Sequence, residues 1–322
     1  MKIGIAYDTP EMYDLKSDRI YYDFAEQISI IELQKIIQKS GHTVNLVGNA
    51  KNIIKLIKQD DFEYDLIYNT VEGLGSRNRE GLVPAILEAN NIPFIGTDAF
   101  GISLTLNKRL TKVLAQNIGI LTPKYHYISV YDSKNSILRG LEKLHMPVII
   151  KPNYEGNSSG ICVKETIYDA TNAIGELIKK YNSDILCEEF IKGKEVTVAT
   201  IGNYNDIIMA ATTVDIQTKD DFWLDINCKI FGDYKNIPLE DEKNNRMLYT
   251  ICKKLIKTIG CKDFARFDFR ISNNNKIYFI EANPLPALFR GGSFDILGQK
   301  YGLKYEETIQ LIIDTARRRI GI

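Results

Sequence analysis

Residues Ala265–Pro286, ARFDFRISNNNKIYFIEANPLP, decide how this chain is read. Two apolar runs, FARFDFRI and KIYFIEAN, flank the turn residues Ser272–Asn275, which predicts a β-hairpin. Side chains alternate across a strand, so pairing the two runs can bring Asp268, Glu281 and Asn283 onto one face. Two carboxylates and an amide oxygen are donors that a hard cation such as magnesium selects, usually with phosphate oxygens completing its shell. The plain alternative is a pair of solvated strand residues. The apolar surroundings, FDF and YFIEAN, make uncompensated charge costly there and tilt the reading towards a metal.

Upstream, KPNYEGNSSG (Lys151–Gly160) follows the buried strand VIIK, Val148–Lys151. Small residues let backbone N–H groups approach a phosphate, and a lysine at the strand end supplies charge. The lysine-serine ending of a P-loop is missing, and an ordinary hairpin turn remains the alternative. In CEEFIKGKEVTV, Glu188 and Glu189 end another strand and Glu195 follows the KG turn. That stretch could frame a nucleotide, with backbone groups reading the base and a carboxylate holding the ribose. An ordinary strand edge with charged ends would look the same.

The first hundred residues alternate strand and helix: strands at Lys2–Tyr7, Thr43–Val47, Leu66–Asn69 and Pro93–Ile95, helices at Tyr22–Ser40, Ala50–Lys58 and Leu82–Asn90. Such alternation predicts a parallel sheet with ligands at the carboxyl ends of its strands. A second unit begins near Leu104, with a helix at Lys108–Ile118. The last part is strand-rich, with helices at Glu242–Ile259 and Tyr305–Arg318. Asp215–Pro238, long, polar and aromatic, reads as a mobile loop. The chain has 322 residues, 41 basic against 41 acidic. That balance argues against coating nucleic acid, which needs a basic surface. Five scattered cysteines without a CxxC pair fit neither a disulfide framework nor a zinc knuckle, so a reducing cytoplasm is expected. Neither a signal peptide nor a membrane span is read from the sequence.

The order of these motifs resembles the ATP-grasp superfamily, and most closely its D-alanine–D-alanine ligase branch. The best stretches are Glu72–Lys112, VIIKPNYEGNSSGICV, EEFIKGKEVTVATIGN and the hairpin, with a weaker match at Gly302–Ala316. The resemblance implies an α/β, three-domain architecture, with a Rossmann-like domain at 1–103 and two ATP-clasping subdomains at 104–190 and 191–322. It implies a ligase that uses ATP and magnesium, with manganese as a substitute, to join amino acids or peptides through an acyl phosphate. A homodimer is the family expectation. Lys108 and Lys151 look like the phosphate lysines, and Asn157 and Ser158 occupy the phosphate loop. Glu188 and Glu189 look like the pair beside the adenine, walled by Phe190 and Ile191, and Glu195 like the ribose glutamate. Asp268, Glu281 and Asn283 match the magnesium ligands, and Arg266 the arginine that steadies the acyl phosphate. Lys229 falls on the mobile loop, which would close over the site.

The departures gather where the amino-acid substrate would lie. YDTPEMYDLKSDRIYYDF replaces the family's glycine-, serine- and arginine-rich segment after the first strand. Glu72-Gly73 replaces a histidine-glycine motif, and Asn157 a serine. Ile230 stands for a tyrosine, and PLPALFRGGS carries Ala287 where glycine is expected. Glu26, Glu72 and Ser293 are the substrate-facing candidates. Three readings follow: a ligase with altered amino-acid specificity, a strict D-alanine–D-alanine ligase, or a catalytically silent nucleotide-binding protein.

Overall fold

The computed structural model describes residues 1–13, 24, 27–204, 206–216 and 234–322. Its first sheet is parallel, in the order β2-β1-β3-β4, from β1 (Lys2–Ala6), β2 (Thr43–Gly48), β3 (Leu66–Asn69) and β4 (Phe94–Ile95). Ile3, Ile5, Ala6, Leu66 and Ile67 are all at 0 % exposure, as strands covered on both faces require. The covering helices are α1 (Gln27–Lys39), α2 (Ala50–Lys58) and α3 (Leu82–Ala89). Asn49 starts α2 by accepting from the Lys51 N–H, while Asn52 returns a bond to the Asn49 N–H.

Two helices, α4 (Ala99–Leu106) and α5 (Lys108–Asn117), lead to the second sheet. They break at Asn107, whose side chain caps α5 by accepting from the Leu110 N–H. That sheet is antiparallel, ordered β5-β8-β6-β7, from β5 (Tyr125–Ile128), β6 (Val148–Pro152), β7 (Cys162–Lys164) and β8 (Ile185–Glu189). The helices α6 (Lys134–Leu141) and α7 (Ile167–Tyr181) close its apolar face over Ile128, Val148 and Ile150, with Ile174 of α7 packed among them.

The third sheet is also antiparallel, ordered β11-β10-β9-β12-β13. Its strands are β9 (Gly193–Ile201), β10 (Ile208–Ile216), β11 (Tyr234–Pro238), β12 (Phe264–Ser272) and β13 (Ile277–Asn283). The accompanying helices are α8 (Glu242–Ile259), α9 (Ser293–Lys300) and α10 (Tyr305–Ile320). One apolar core joins Ile3, Ile5 and Tyr68 of the first sheet to Ile201 and Phe264 of the third, with Phe294, Ile309 and Ile312 between them.

Two expectations need correction. Asp215–Pro238 is not loop throughout, because Asp215 and Ile216 pair with Lys235 and Tyr234, and Thr212 pairs with Pro238. Pro238 fits there because β11 is an edge strand, where a missing N–H costs no ladder bond. The remainder of that stretch lies outside the described residues. Second, the return strand of the Lys151–Gly160 loop starts at Cys162 rather than Gly160.

Asp263 ties these layers together. It is fully buried and accepts from the Gly96 N–H, the Asn203 amide and two guanidinium nitrogens of Arg319, at 2.7–3.0 Å. It therefore joins the end of β4, the β9–β10 turn and α10. Its backbone is left-handed (φ 65°), a conformation asparagine also tolerates. Asp263→Asn should cost about 2–4 kcal/mol, since it leaves Arg319 without its carboxylate. Urea unfolding checks this, and a loss below about 0.5 kcal/mol would remove Asp263 from the joint.

Candidate active site

The hairpin β12–β13 sets Asp268 directly opposite Glu281 and Arg266 opposite Asn283. Phe267, Phe269 and Phe279 turn the other way into the core, with Phe269 and Phe279 edge to face at 5.7 Å. Alternation thus separates a greasy face from a charged one. On the charged face, Arg266 forks onto both oxygens of Asp268 at 3.0–3.3 Å. Thr197, across on β9, donates to Asp268 Oδ1 at 2.9 Å. The Asn283 Oδ1 accepts from the Leu285 N–H at 2.9 Å, which turns the chain into the Pro284–Pro286 segment. Among the described residues no three His, Cys, Asp or Glu side chains gather as a metal cluster. The available set is two cross-strand carboxylates with an amide two residues along, all hard oxygen donors, and it fits magnesium.

Facing the hairpin are the lysines. Lys108 opens α5, donates to the Glu155 carbonyl and lies 3.9 Å from Glu281 Oε2. Lys151 on β6 is 2 % exposed, with its ammonium 2.6 Å from Glu188 Oε2. Burial opposes the charge on Lys151, but the carboxylates of Glu188 and Glu281 prevail and hold its pKa above the ordinary lysine value. The loop after β6 turns on consecutive left-handed residues, Asn157 (φ 45°) and Ser158 (φ 62°), with Gly160 (φ 72°) behind them.

Glu188 and Glu189 both line the cleft but have different partners. Strand neighbours face opposite ways, so Glu188 turns inward and is 1 % exposed between Lys151 and Lys112. Glu189 instead accepts from the His145 N–H at 3.0 Å. Glu195 meets Arg270 at 3.3 Å, and Arg270 also donates to the Gly193 carbonyl and lies over the Phe190 ring at 4.8 Å.

The opposite wall comes from the carboxyl end of β3, braced from behind by Asp8 after β1. Asp8, fully buried, accepts from the N–H groups of Glu72 and Gly73 and from the Tyr13 hydroxyl, at 2.8–3.0 Å. Burial pushes the Asp8 carboxyl above the usual range, against those bonds. Gly73 must be glycine, because its backbone is left-handed (φ 70°) and a Cβ there would lie 2.5 Å from the Arg79 carbonyl oxygen. Glu72 pairs with Arg79 at 3.2 Å, and Arg79 pairs with Glu80 at 3.3 Å. Ser293 opens α9 and is 9 % exposed.

One cleft of about 540 Å³ is lined by every expected site residue that is described, from Glu72 and Lys108 to Asn283 and Ser293. Glu26 and Lys229 lie outside the described residues, as does Trp223 of the expected lid. A groove of similar volume over Ala210, Pro238, Leu239 and Ile296 holds none of the expected residues. Sequence reasoning passed over Lys112, Glu80 and Arg270. The KRLTK spacing, which puts Lys112 one helical turn beyond Lys108, was the available signal for the first.

A family model described as the D-ala D-ala ligase C-terminus matches residues 114–314. The D-alanine–D-alanine ligase of Aquifex aeolicus is 30 % identical, over 87 % of this chain and 91 % of its own length. That of Pelagibacter ubique is 31 % identical, over 88 % and 91 %. The chain belongs to the D-alanine–D-alanine ligase family. In fold, it resembles D-alanine–D-alanine ligase from Bacillus anthracis complexed with ATP, with TM-score 0.77, 19 % identity, and 99 % and 98 % of the two chains covered. As a member of this family it is an ATP-grasp ligase, ATP-dependent and forming carbon–nitrogen bonds between small molecules. No helix among the described residues is long and apolar enough to cross a membrane.

Proposed function

We propose that this ligase activates the carboxylate of one amino acid or peptide as an acyl phosphate and joins it to the amine of a second. The observation that carries this is one cleft with Lys108 and Lys151 on one side and Asp268, Glu281 and Asn283 on the other. In this reading the backbone edge from Glu189 to Ile191 holds the adenine and Glu195 the ribose. Lys108, Lys151 and the turn at Asn157–Ser158 hold the phosphates. Magnesium, or manganese on the same donors, would supply charge neutralisation of the polyphosphate when held by Asp268, Glu281 and Asn283.

The substrate carboxylate oxygen attacks the γ-phosphorus as the bond to the ADP oxygen breaks. The amine nitrogen then attacks the acyl carbon, and phosphate leaves. Arg266 offers its planar fork to the negative charge that develops in both steps. The protein supplies position and fixed charge and contributes no covalent nucleophile. Glu188, buried between Lys151 and Lys112, acts through Lys151.

The amino-acid wall favours altered specificity. The Glu72–Arg79–Glu80 cluster sets two carboxylates joined by a guanidinium on that wall, where the family resemblance expects a histidine-glycine motif. A strict D-alanine–D-alanine ligase is the second reading, favoured by the names of its relatives at 30–31 % identity. Phosphate release from ATP with a panel of D- and L-amino acids separates the two. Release with D-alanine alone supports the strict enzyme, and silence across amino acids and peptides would sink both in favour of a nucleotide-binding protein. We further propose the division 1–103, 104–190 and 191–322 and a homodimer, as the resemblance implies, and a cytoplasmic location, as five scattered cysteines without a CxxC pair suggest.

Glu72→Gln should leave the affinity for a non-hydrolysable ATP analogue within about twofold while raising KM for an amino-acid substrate about tenfold or more. Calorimetry and steady-state kinetics check the split. A matching loss of nucleotide affinity would place Glu72 on the wrong substrate.

A further inference from the structure

Lys112 is 0 % exposed, the most deeply buried lysine among the described residues, and the reaction scheme above gives it no task. Its ammonium lies 2.6 Å from Glu188 Oε1 and donates to the Ile280 carbonyl at 2.8 Å. The other Glu188 oxygen lies 2.6 Å from the Lys151 ammonium. A lysine–carboxylate–lysine triad therefore runs from α5 through β8 to β6. It is also tied to β13 at the residue before Glu281.

The charge count decides what this triad does. A buried Lys151 paired with Glu188 alone would be a neutral ion pair, and a phosphate would have to compete with a carboxylate for that ammonium. Sharing Glu188 between two lysines leaves the triad with one net positive charge. Lys112 is sealed, so the end open to the cleft is Lys151, which lines it. We propose that Lys112 is a positioning residue: by sharing Glu188 it leaves Lys151 with positive charge to offer a nucleotide phosphate. Its bond to the Ile280 carbonyl meanwhile fixes the strand that carries Glu281 against the lysine side of the cleft.

The electrostatics agree with that division. Glu188 is held below its ordinary pKa, the two lysines outweighing burial, so it stays ionised. Burial, opposed by Glu188 and reinforced by the Lys151 charge, lowers Lys112 to about 8. The unfavourable part of burying a second ammonium thus falls on Lys112, while Lys151 is stabilised in its charged form.

This inference rests on the cleft being a nucleotide site, and the test keeps the two apart. The full chain is titrated calorimetrically with a non-hydrolysable ATP analogue and magnesium, as wild type, Lys112→Met and the double variant Lys112→Met/Glu188→Gln. Thermal melts show that each is folded. Lys112→Met should weaken the analogue roughly tenfold or more, because Glu188 then competes undivided for Lys151. The double variant removes that competitor and should bind within about threefold of wild type. Should Lys112→Met not fold, Lys112→Gln, which keeps a hydrogen-bond donor for Glu188 but no charge, takes its place in the same comparison. A wild type that does not bind the analogue overturns the nucleotide reading. A Lys112→Met with wild-type affinity, or a double variant that recovers nothing, overturns the role of Lys112 and leaves the nucleotide reading standing.

Discussion

Asp268→Asn should lower turnover by roughly a thousandfold while the chain stays folded. Asp268 stands opposite Glu281, partly exposed on the charged face, and it is gripped by Arg266 and Thr197. Asparagine keeps the shape and can still accept from Thr197, so the ladder and the phenylalanine face behind it are undisturbed. What disappears is one negative charge from a donor set that has only two. A cation that must hold polyphosphate binds the remaining carboxylate and amide much more weakly. Glu281→Gln should behave alike, and it also removes the charge that faces Lys108 at 3.9 Å. Phosphate release at saturating magnesium reads the loss, and a thermal melt within about 3 °C of wild type reads the fold. Activity within about tenfold of wild type would take these carboxylates out of the metal shell.

Arg266→Met should cost turnover on the order of 10²–10³-fold and change nucleotide affinity little. The guanidinium shares its face with Asp268 and Asn283, where the transferred phosphoryl and acyl groups would meet. Its worth lies in charge that develops during the reaction, so the loss should appear in kcat rather than in binding of an ATP analogue. Arg266→Lys should rescue poorly, because a single ammonium cannot reproduce a planar fork. An analogue affinity that falls in step with kcat would make Arg266 a nucleotide-binding residue instead.

How much of this could be read from the chain follows from what kind of contact each feature needs. The hairpin was legible because its strands alternate charged and aromatic residues around a polar turn. That one pattern sets both the pairing and the face on which Asp268, Glu281 and Asn283 lie. The parallel sheet was legible for a similar reason, since apolar runs such as KIGIA and LIYN alternate with helical spacing. Helix α4, AFGISLTL, was missed because it is apolar nearly all round and leaves no periodic stripe to find. Strand β11 was missed because an edge strand of Tyr, Lys, Asn, Ile and Pro has loop-like composition. The inward turn of Glu188 was also hidden. Sequence shows two adjacent glutamates, but only packing against Lys112 and Lys151 shows which one faces the interior. The Asp8 contacts with Glu72 and Gly73 span more than sixty positions and leave no local trace.

The most direct measurement follows an oxygen atom. Amino acids carrying heavy-oxygen carboxylates are incubated with the protein, ATP and magnesium, and the released phosphate and the products are analysed by mass spectrometry. Attack of a carboxylate on the γ-phosphorus transfers a carboxylate oxygen to phosphate when the amide forms. The account therefore predicts labelled phosphate in equal amount to a new amide-linked product. Phosphate released without label, or ATP consumed with no amide formed, would contradict it.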